Sequence, residues 1–359
     1  MARRQEQEPA KEEVTELAPG VLRLQLPIHM PGLGHVNCYA LVDDRGVALV
    51  DPGLPGVATW KALQNRLRQA DLALRHVHTV IVTHSHPDHF GSASRIARET
   101  GADVLAHRAF SFGPLHTAPE ASTEDLEAQA EDDEAAEGEA PPSSEPLRPP
   151  PGRTPWGGQR PRPPLKMRLR FMLMRALGRG SWLPRVSRSV EHGDVLELVG
   201  REWFVLHTPG HTADHFCLHD PETGLFLAGD HVLPTITPHI SGISPSPDPL
   251  KSFFYSLDRV GEIQGVKRVL PAHGHPFHDL KARTEAIKRH HHERLETVKA
   301  ICRDLGPASV EAISRRLFRQ RSWGPMAESE TFAHLEHLRH LREAERRDGS
   351  DGKIIYIAG

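Results

Sequence analysis

The chain has 359 residues, 38% hydrophobic and 25% charged, with a formal net charge of −3. Such a chain can build a sizeable core in more than one domain, and its charge excludes the global basic field that advertises nucleic acid or an anionic membrane. Cys38, Cys217 and Cys302 are too few and too scattered for a disulfide framework or a zinc knuckle. The polar start lacks the apolar core of a signal peptide, and no later run reaches the roughly 18 apolar residues of a membrane span, so the expectation is a cytoplasmic protein with no membrane partner.

In chain order, residues 1–16 read as a disordered arm. Alternation over 21–26 predicts a half-buried strand, and 36–42 and 46–50 predict two more across the turn Asp43-Asp44-Arg45, with Asp51-Pro52-Gly53 directly after. A helix over 59–70 precedes the β-branched apolar run 77–82, which reads as a buried strand. His84 and His86 leave its end in extended backbone, where alternate side chains face the same way. Pro87 suits the first turn of a helix running through 92–100 to Gly101, and this start turns Asp88 and His89 back toward the two histidines. Imidazole and carboxylate are ordinary zinc ligands, and a buried carboxylate among imidazoles calls for a cation to balance it. Residues 102–106 read as the next strand, so the pattern is that of an α/β protein.

The pattern then breaks. Residues 119–146 hold eleven acids and no base, and residues 148–188 hold eleven Lys or Arg and no acid. The acidic part cannot bury enough apolar surface to offset its ordering entropy, so a low-complexity insertion at about 117–188 is expected, with 119–164 disordered and removable. Strands resume around 190–198, and further short apolar strands are read over 205–206, 225–228 and 269–270. A helix is expected over 249–263. Beyond Pro276 come a charged helix over 280–305, helices over 308–318 and 327–346, and a terminal hairpin through 353–357. His290, His291 and His292 point in different directions on their helix and are expected on the surface.

His84-x-His86-x-Asp88-His89 between a strand and a helix resembles the metal motif of the metallo-β-lactamase-fold hydrolases. The order of His211, Asp230 and His273 is similar to that family's later motifs. The resemblance implies an αββα sandwich over 17–280, with two zinc ions at one edge and iron or manganese as alternatives. It implies His84, His86 and His211 at one metal, Asp88, His89 and His273 at the other, and Asp230 bridging. Asp51 matches an aspartate that supports the ligands from behind. A hydroxide shared by the metals would attack, with Asp88 orienting it and later carrying a proton. His231 is the first candidate for protonating the leaving group, ahead of His215, His239 and His275.

The segment 281–359 resembles a winged helix like the one ending the mitochondrial β-lactamase-like endoribonuclease. The favoured function is hydrolysis of a small ester or thioester in the manner of hydroxyacylglutathione hydrolase. An endoribonuclease, with nucleic acid as partner, and a non-catalytic binding module are the alternatives.

Overall fold

The computed structural model describes residues 4–30, 32–112, 153–158, 182–349 and 351–358. Among these the chain divides into two compact units. The first takes 4–108, 182–239 and 252–291, and the second takes 109–112, 153–158, 240–251 and 292–358.

The first unit is built on two sheets. One orders its strands β1 (Thr15–Ala18), β2 (Val21–Met30), β3 (Leu33–Asp43), β4 (Gly46–Val50), β5 (Val77–Val82), β6 (Asp103–His107) and β7 (Arg188–Val190) in sequence. The other orders β12 (Arg268–Pro271), β11 (Leu225–Gly229), β10 (Phe216–Asp220), β9 (Arg201–His207) and β8 (Val195–Leu198). Their facing sides share one apolar core, with Val21, Leu41, Val50, Ile81 and Leu105 from the first sheet and Leu196, Trp203, Val205, Phe216 and Leu227 from the second. Each such side chain contributes about 1.5–3 kcal/mol by leaving water, before the entropy of ordering it is subtracted.

On the outer side of the first sheet, α1 (Val57–Gln69) buries Trp60, Leu63 and Leu67, an i, i+3, i+7 stripe, and packs on β2. The helix expected from Pro87 to Gly101 is two pieces, α2 (Pro87–Phe90) and α3 (Ala93–Thr100). The break has a local cause. Ser92 turns its N–H to the Gly53 carbonyl (3.0 Å) and its hydroxyl to the Leu54 carbonyl (3.1 Å), tying the junction to the loop after β4. A Cβ on Gly91 would sit 2.1 Å from Pro55 Cδ.

The expected disordered arm is corrected from residue 4 onward. Glu6 is fully buried and Gln5, Glu6 and Glu8 hydrogen-bond to the core. These ties are polar, so a search for apolar periodicity passes over them.

In chain order there follow the helices α4 (Pro249–Gly261) and α5 (Leu280–Leu305). The second unit continues with β13 (Ala308–Ser309), α6 (Val310–Leu317), α7 (Pro325–His340), β14 (Ala344–Asp348) and β15 (Ile354–Ala358), its sheet ordered β13-β15-β14. Ser309 caps α6 by accepting from the Ala312 N–H. The last helix stops earlier than its periodicity predicts, because Arg342 turns left-handed (φ 62°) and the Glu343 N–H returns to the Leu338 carbonyl (2.8 Å).

Of the insertion, 113–152 and 159–181 lie outside the described residues. The short piece 153–158 between them is folded onto the second unit. Trp156 is 3% exposed, donates Nε1–H to Glu328 Oε2 (3.0 Å) and packs its ring against Phe332. The expectation that all of 119–164 is disordered and removable therefore fails at these residues.

Candidate metal centre

Strand polarity brings the candidates together. β4, β5 and β6 are parallel, so Asp51 and Thr83-His84 emerge at the same sheet edge, where the Asp51 N–H donates to the Ile81 carbonyl (2.9 Å). β11 and β12 are likewise parallel and release Asp230 and His273 side by side, while the loop joining β9 to β10 carries His211. Two cross-sheet bonds hold the edges in register: Phe216 N–H to the Thr83 carbonyl (3.0 Å) and Asn37 N–H to the Ala272 carbonyl (2.7 Å).

The seven donors fall into two groups. His84, His86, His211 and Asp230 form one, and Asp88, His89 and His273 the other, with the ligand atoms of each group within 4.8 Å of one another. In the first, His86 Nδ1 lies 3.0 Å from both His84 Nε2 and His211 Nε2. In the second, Asp88 Oδ2 lies 3.6 Å from both His89 Nε2 and His273 Nε2. Asp230 spans them. Its Oδ2 is 3.9 Å from His84 Nε2 and 3.6 Å from His211 and His89 Nε2, and its Oδ1 is 3.3 Å from His273 Nε2.

The superfamily description "Metallo-beta-lactamase superfamily" matches residues 31–289. The chain belongs to the metallo-beta-lactamase superfamily. A probable metallo-hydrolase, YqjP, from Bacillus subtilis (strain 168) is 25% identical over 333 residues, 88% of this chain and 91% of the relative. A hydroxyacylglutathione hydrolase from Rhizobium meliloti (strain 1021) is 38% identical over 66 residues, 18% of this chain and 26% of that enzyme. A solved metallo-beta-lactamase family protein from Thermus thermophilus has a TM-score of 0.70 at 28% identity, covering 96% of this chain and 100% of that one. This member of the superfamily is a metal-dependent hydrolase with a His/Asp metal-binding cluster.

What lies behind the donors fixes their tautomers. Thr83 Oγ1 donates to Asp51 Oδ2 (2.8 Å), so it accepts from His84 Nδ1–H (3.0 Å), and the His84 Nε2 lone pair faces the cluster. His89 donates Nδ1–H to Asp51 Oδ2 (2.9 Å), His211 to the His239 carbonyl (2.7 Å) and His273 to the His35 carbonyl (2.7 Å). In each case Nε2 is left as the ligand atom. Asp51 itself takes a left-handed backbone (φ 53°), and its Oδ1 accepts the Thr83 N–H (2.9 Å).

Charge balance supports divalent cations. Burial, with neighbouring histidines adding to it, holds the imidazoles of His84, His86 and His211 below their ordinary value. At His89 and His273 burial pulls in the same direction, yet Asp51, Asp88 and Asp230 outweigh it at His89, and Asp230 and Asp88 outweigh it at His273. Both rings are held above their ordinary value. This corner draws positive charge. His89 Nε2, His273 Nε2 and Asp230 Oδ1 are buried without a hydrogen bond, which suits metal ligands.

Several residues support the donors in ways the sequence does not indicate, His215 and His239 among them, although the sequence makes both candidates for a proton donor. His215 Nε2 accepts the Asp230 N–H (3.0 Å) and Nδ1 bonds to Thr208 Oγ1 (2.8 Å), so the ring orients the backbone of the spanning carboxylate. Gly229 admits it: a Cβ there would lie 2.5 Å from His215 Nε2. Ser85 donates to Asp214 Oδ1 (3.0 Å), whose carboxyl burial pushes up to about 7. His35 and His239 act through their carbonyls, which no residue type reveals.

His231 lies elsewhere than the mouth of the site. It is fully buried beside His215 and Phe253, and burial pushes its pKa down to about 3, offset in part by the Ser256 backbone. A ring held neutral and enclosed packs better than it donates protons. His275 bonds to Glu8 Oε2 (3.0 Å). His291, expected at the surface, is buried with its ring against Phe253 and Phe254, while His292 is exposed.

Proposed function

We propose that this chain hydrolyses a small ester or thioester with two zinc ions, one held by His84, His86 and His211, the other by Asp88, His89 and His273, and Asp230 between them. The observation that carries the two-metal reading is the placement of Asp230, whose carboxylate lies within 3.9 Å of His84 and His211 of the first group and of His89 and His273 of the second. When bound, two such cations supply Lewis acidity to the carbonyl and acidify a water to a nucleophile near neutral pH.

The chain's own residues do the rest. Asp51, Thr83, His35 and His239 hold the donor rings from behind, so no reorganisation is needed as charge develops. The Asp88 carboxylate orients the attacking water by accepting its proton, then returns that proton to the departing oxygen or sulfur. This assigns to Asp88 the role for which His231 is too enclosed. A thioester is favoured because the first ligand motif sits in a compact core and because two relatives, each matched over a short stretch, bear the name hydroxyacylglutathione hydrolase.

We further read the order of β13, α6, α7 and the β14–β15 hairpin as winged-helix-like. Helix α7 then occupies the place of a groove-reading helix, but it buries Ser329, Thr331, Phe332, Leu335, Glu336 and His337. A helix covered on so many sides offers no face to a nucleic-acid groove, which weighs against the endoribonuclease alternative.

The test pairs metal analysis with a substrate panel: S-lactoylglutathione, an acyl-CoA, a homoserine lactone, nitrocefin, bis-p-nitrophenyl phosphate and single-stranded RNA. The expected outcome is about two zinc equivalents and turnover of a thioester or lactone that disappears in Asp230→Ala. Turnover confined to the phosphodiester or RNA would overturn the substrate class.

A further inference from the structure

The chain's first described residues close on the two loops that carry Asp230 and His273. The Glu6 carboxylate is fully enclosed. Its Oε1 accepts from the N–H groups of Thr235 (2.8 Å) and Ile236 (3.1 Å), and its Oε2 accepts from the Thr235 hydroxyl. From the carbonyl side, Arg283 donates Nε–H to Leu233 (2.6 Å) and an Nη2–H to Ile236 (2.7 Å). The loop after Asp230 therefore has its amides held by an anion and its carbonyls by a cation.

The same arm reaches the His273 loop. Gln5 Oε1 accepts the His275 N–H (2.7 Å), and the Glu8 carbonyl accepts His35 Nδ1–H (2.8 Å). His35 Nε2 in turn accepts the Gly274 N–H (3.1 Å), and the His35 carbonyl holds His273 Nδ1–H (2.7 Å). The three pieces meet at Gly274, left-handed at φ 82°, where a Cβ would lie 2.7 Å from Pro234 Cγ and 3.3 Å from Gln5 Oε1.

A buried carboxylate is a costly way to pin an arm, since an apolar plug of similar volume holds as well or better. What a carboxylate adds is a fixed geometry for the amides it binds. We propose that residues 5–8, and Glu6 above all, are positioning residues of the metal centre: they hold the loops 230–236 and 273–275 so that Asp230 and His273 present their ligand atoms together. This rests on the ligand set proposed above, and its test reads metal binding rather than turnover of any substrate.

Glu6→Gln replaces one acceptor oxygen with a donor. Its zinc affinities are measured by competition with a chromophoric chelator, beside the thermal midpoint of the zinc-free protein. Glu13→Gln, at an exposed position of the same arm, is the control. The expected result is a loss of about tenfold or more in the affinity for one of two zinc ions, with Glu13→Gln like the parent and Glu6→Asp recovering part of the loss. Both zinc affinities within about twofold of the parent overturn the proposal. A lowered midpoint with unchanged affinities also overturns it, leaving Glu6 a folding contact only. Should Glu6→Gln not fold, Gln5→Ala puts the same question to the His275 tie and is judged by the same two outcomes. A parent that binds no zinc sinks the ligand assignment itself, and is told apart because it precedes any comparison of variants.

Discussion

Asp51 shows how much of this metal centre is held from behind. One carboxylate takes the Thr83 N–H, the Thr83 hydroxyl and His89 Nδ1–H, so it fixes a ligand ring directly and His84 through Thr83. Asp51→Asn keeps the size but offers an amide N–H where an acceptor is needed. Zinc affinity is expected to fall about 10–100-fold, with the fold intact, as chelator competition and circular dichroism would read; unchanged affinity would remove Asp51 from the site. His231 makes the contrasting case. Its ring is enclosed and neutral, so His231→Gln is expected to leave both limbs of the pH–rate profile of kcat where they are, measured at matched metal content; loss of one limb would restore it as a proton donor. The ligands themselves were legible because their residue types are rare in such spacing. His35 and His239 were not, since they act through backbone carbonyls that every residue possesses.

At the level of elements, strands and helices follow hydrophobic periodicity wherever apolar packing decides, as at α1 with its stripe of Trp60, Leu63 and Leu67. Periodicity fails where polar ties decide. Residues 4–8 are anchored by Glu6 and Gln5, and α2 and α3 are separated by the Ser92 bonds to Gly53 and Leu54. The insertion divides along the same line. Composition predicts that removing 119–150 leaves metal content and thermal unfolding near those of the parent. Trp156 differs, being buried and bonded to Glu328, with its carbonyl accepting the Ile354 N–H (3.2 Å) and Gly157 lying against the Gly352 carbonyl. Trp156→Ala is expected to cost about 2–3 kcal/mol by denaturant unfolding. That is at or below the value for a core aromatic, because the short segment can undock instead of leaving a cavity. A deletion of 119–150 as damaging as Trp156→Ala would mean that the acidic stretch itself packs.

Across the whole molecule, acid sensitivity is not confined to the unit that holds the seven donors, because the second unit has a buried histidine of its own whose pKa is lowered. His334 is fully buried, donates Nδ1–H to the Glu330 carbonyl (2.7 Å), and has its pKa pushed from 6.5 down to about 4. Burial is the main cause. Arg294 and His337 add to it, and Glu330 opposes it through both its charge and its carbonyl. Because the folded value lies below the unfolded one, the unfolded chain takes up a proton first as pH falls. The stabilisation from a neutral His334 is complete above about pH 6.5 and drains away as pH drops toward 4, a total of about 3 kcal/mol. His334→Gln cannot titrate, so its unfolding free energy is expected to fall less steeply than the parent's across that window. Equal slopes in urea titrations at pH 7, 5.5 and 4.5 would show that the proton enters elsewhere. The difference between parent and variant isolates this residue, since the buried imidazoles of His84, His211 and His215 are common to both proteins and cancel.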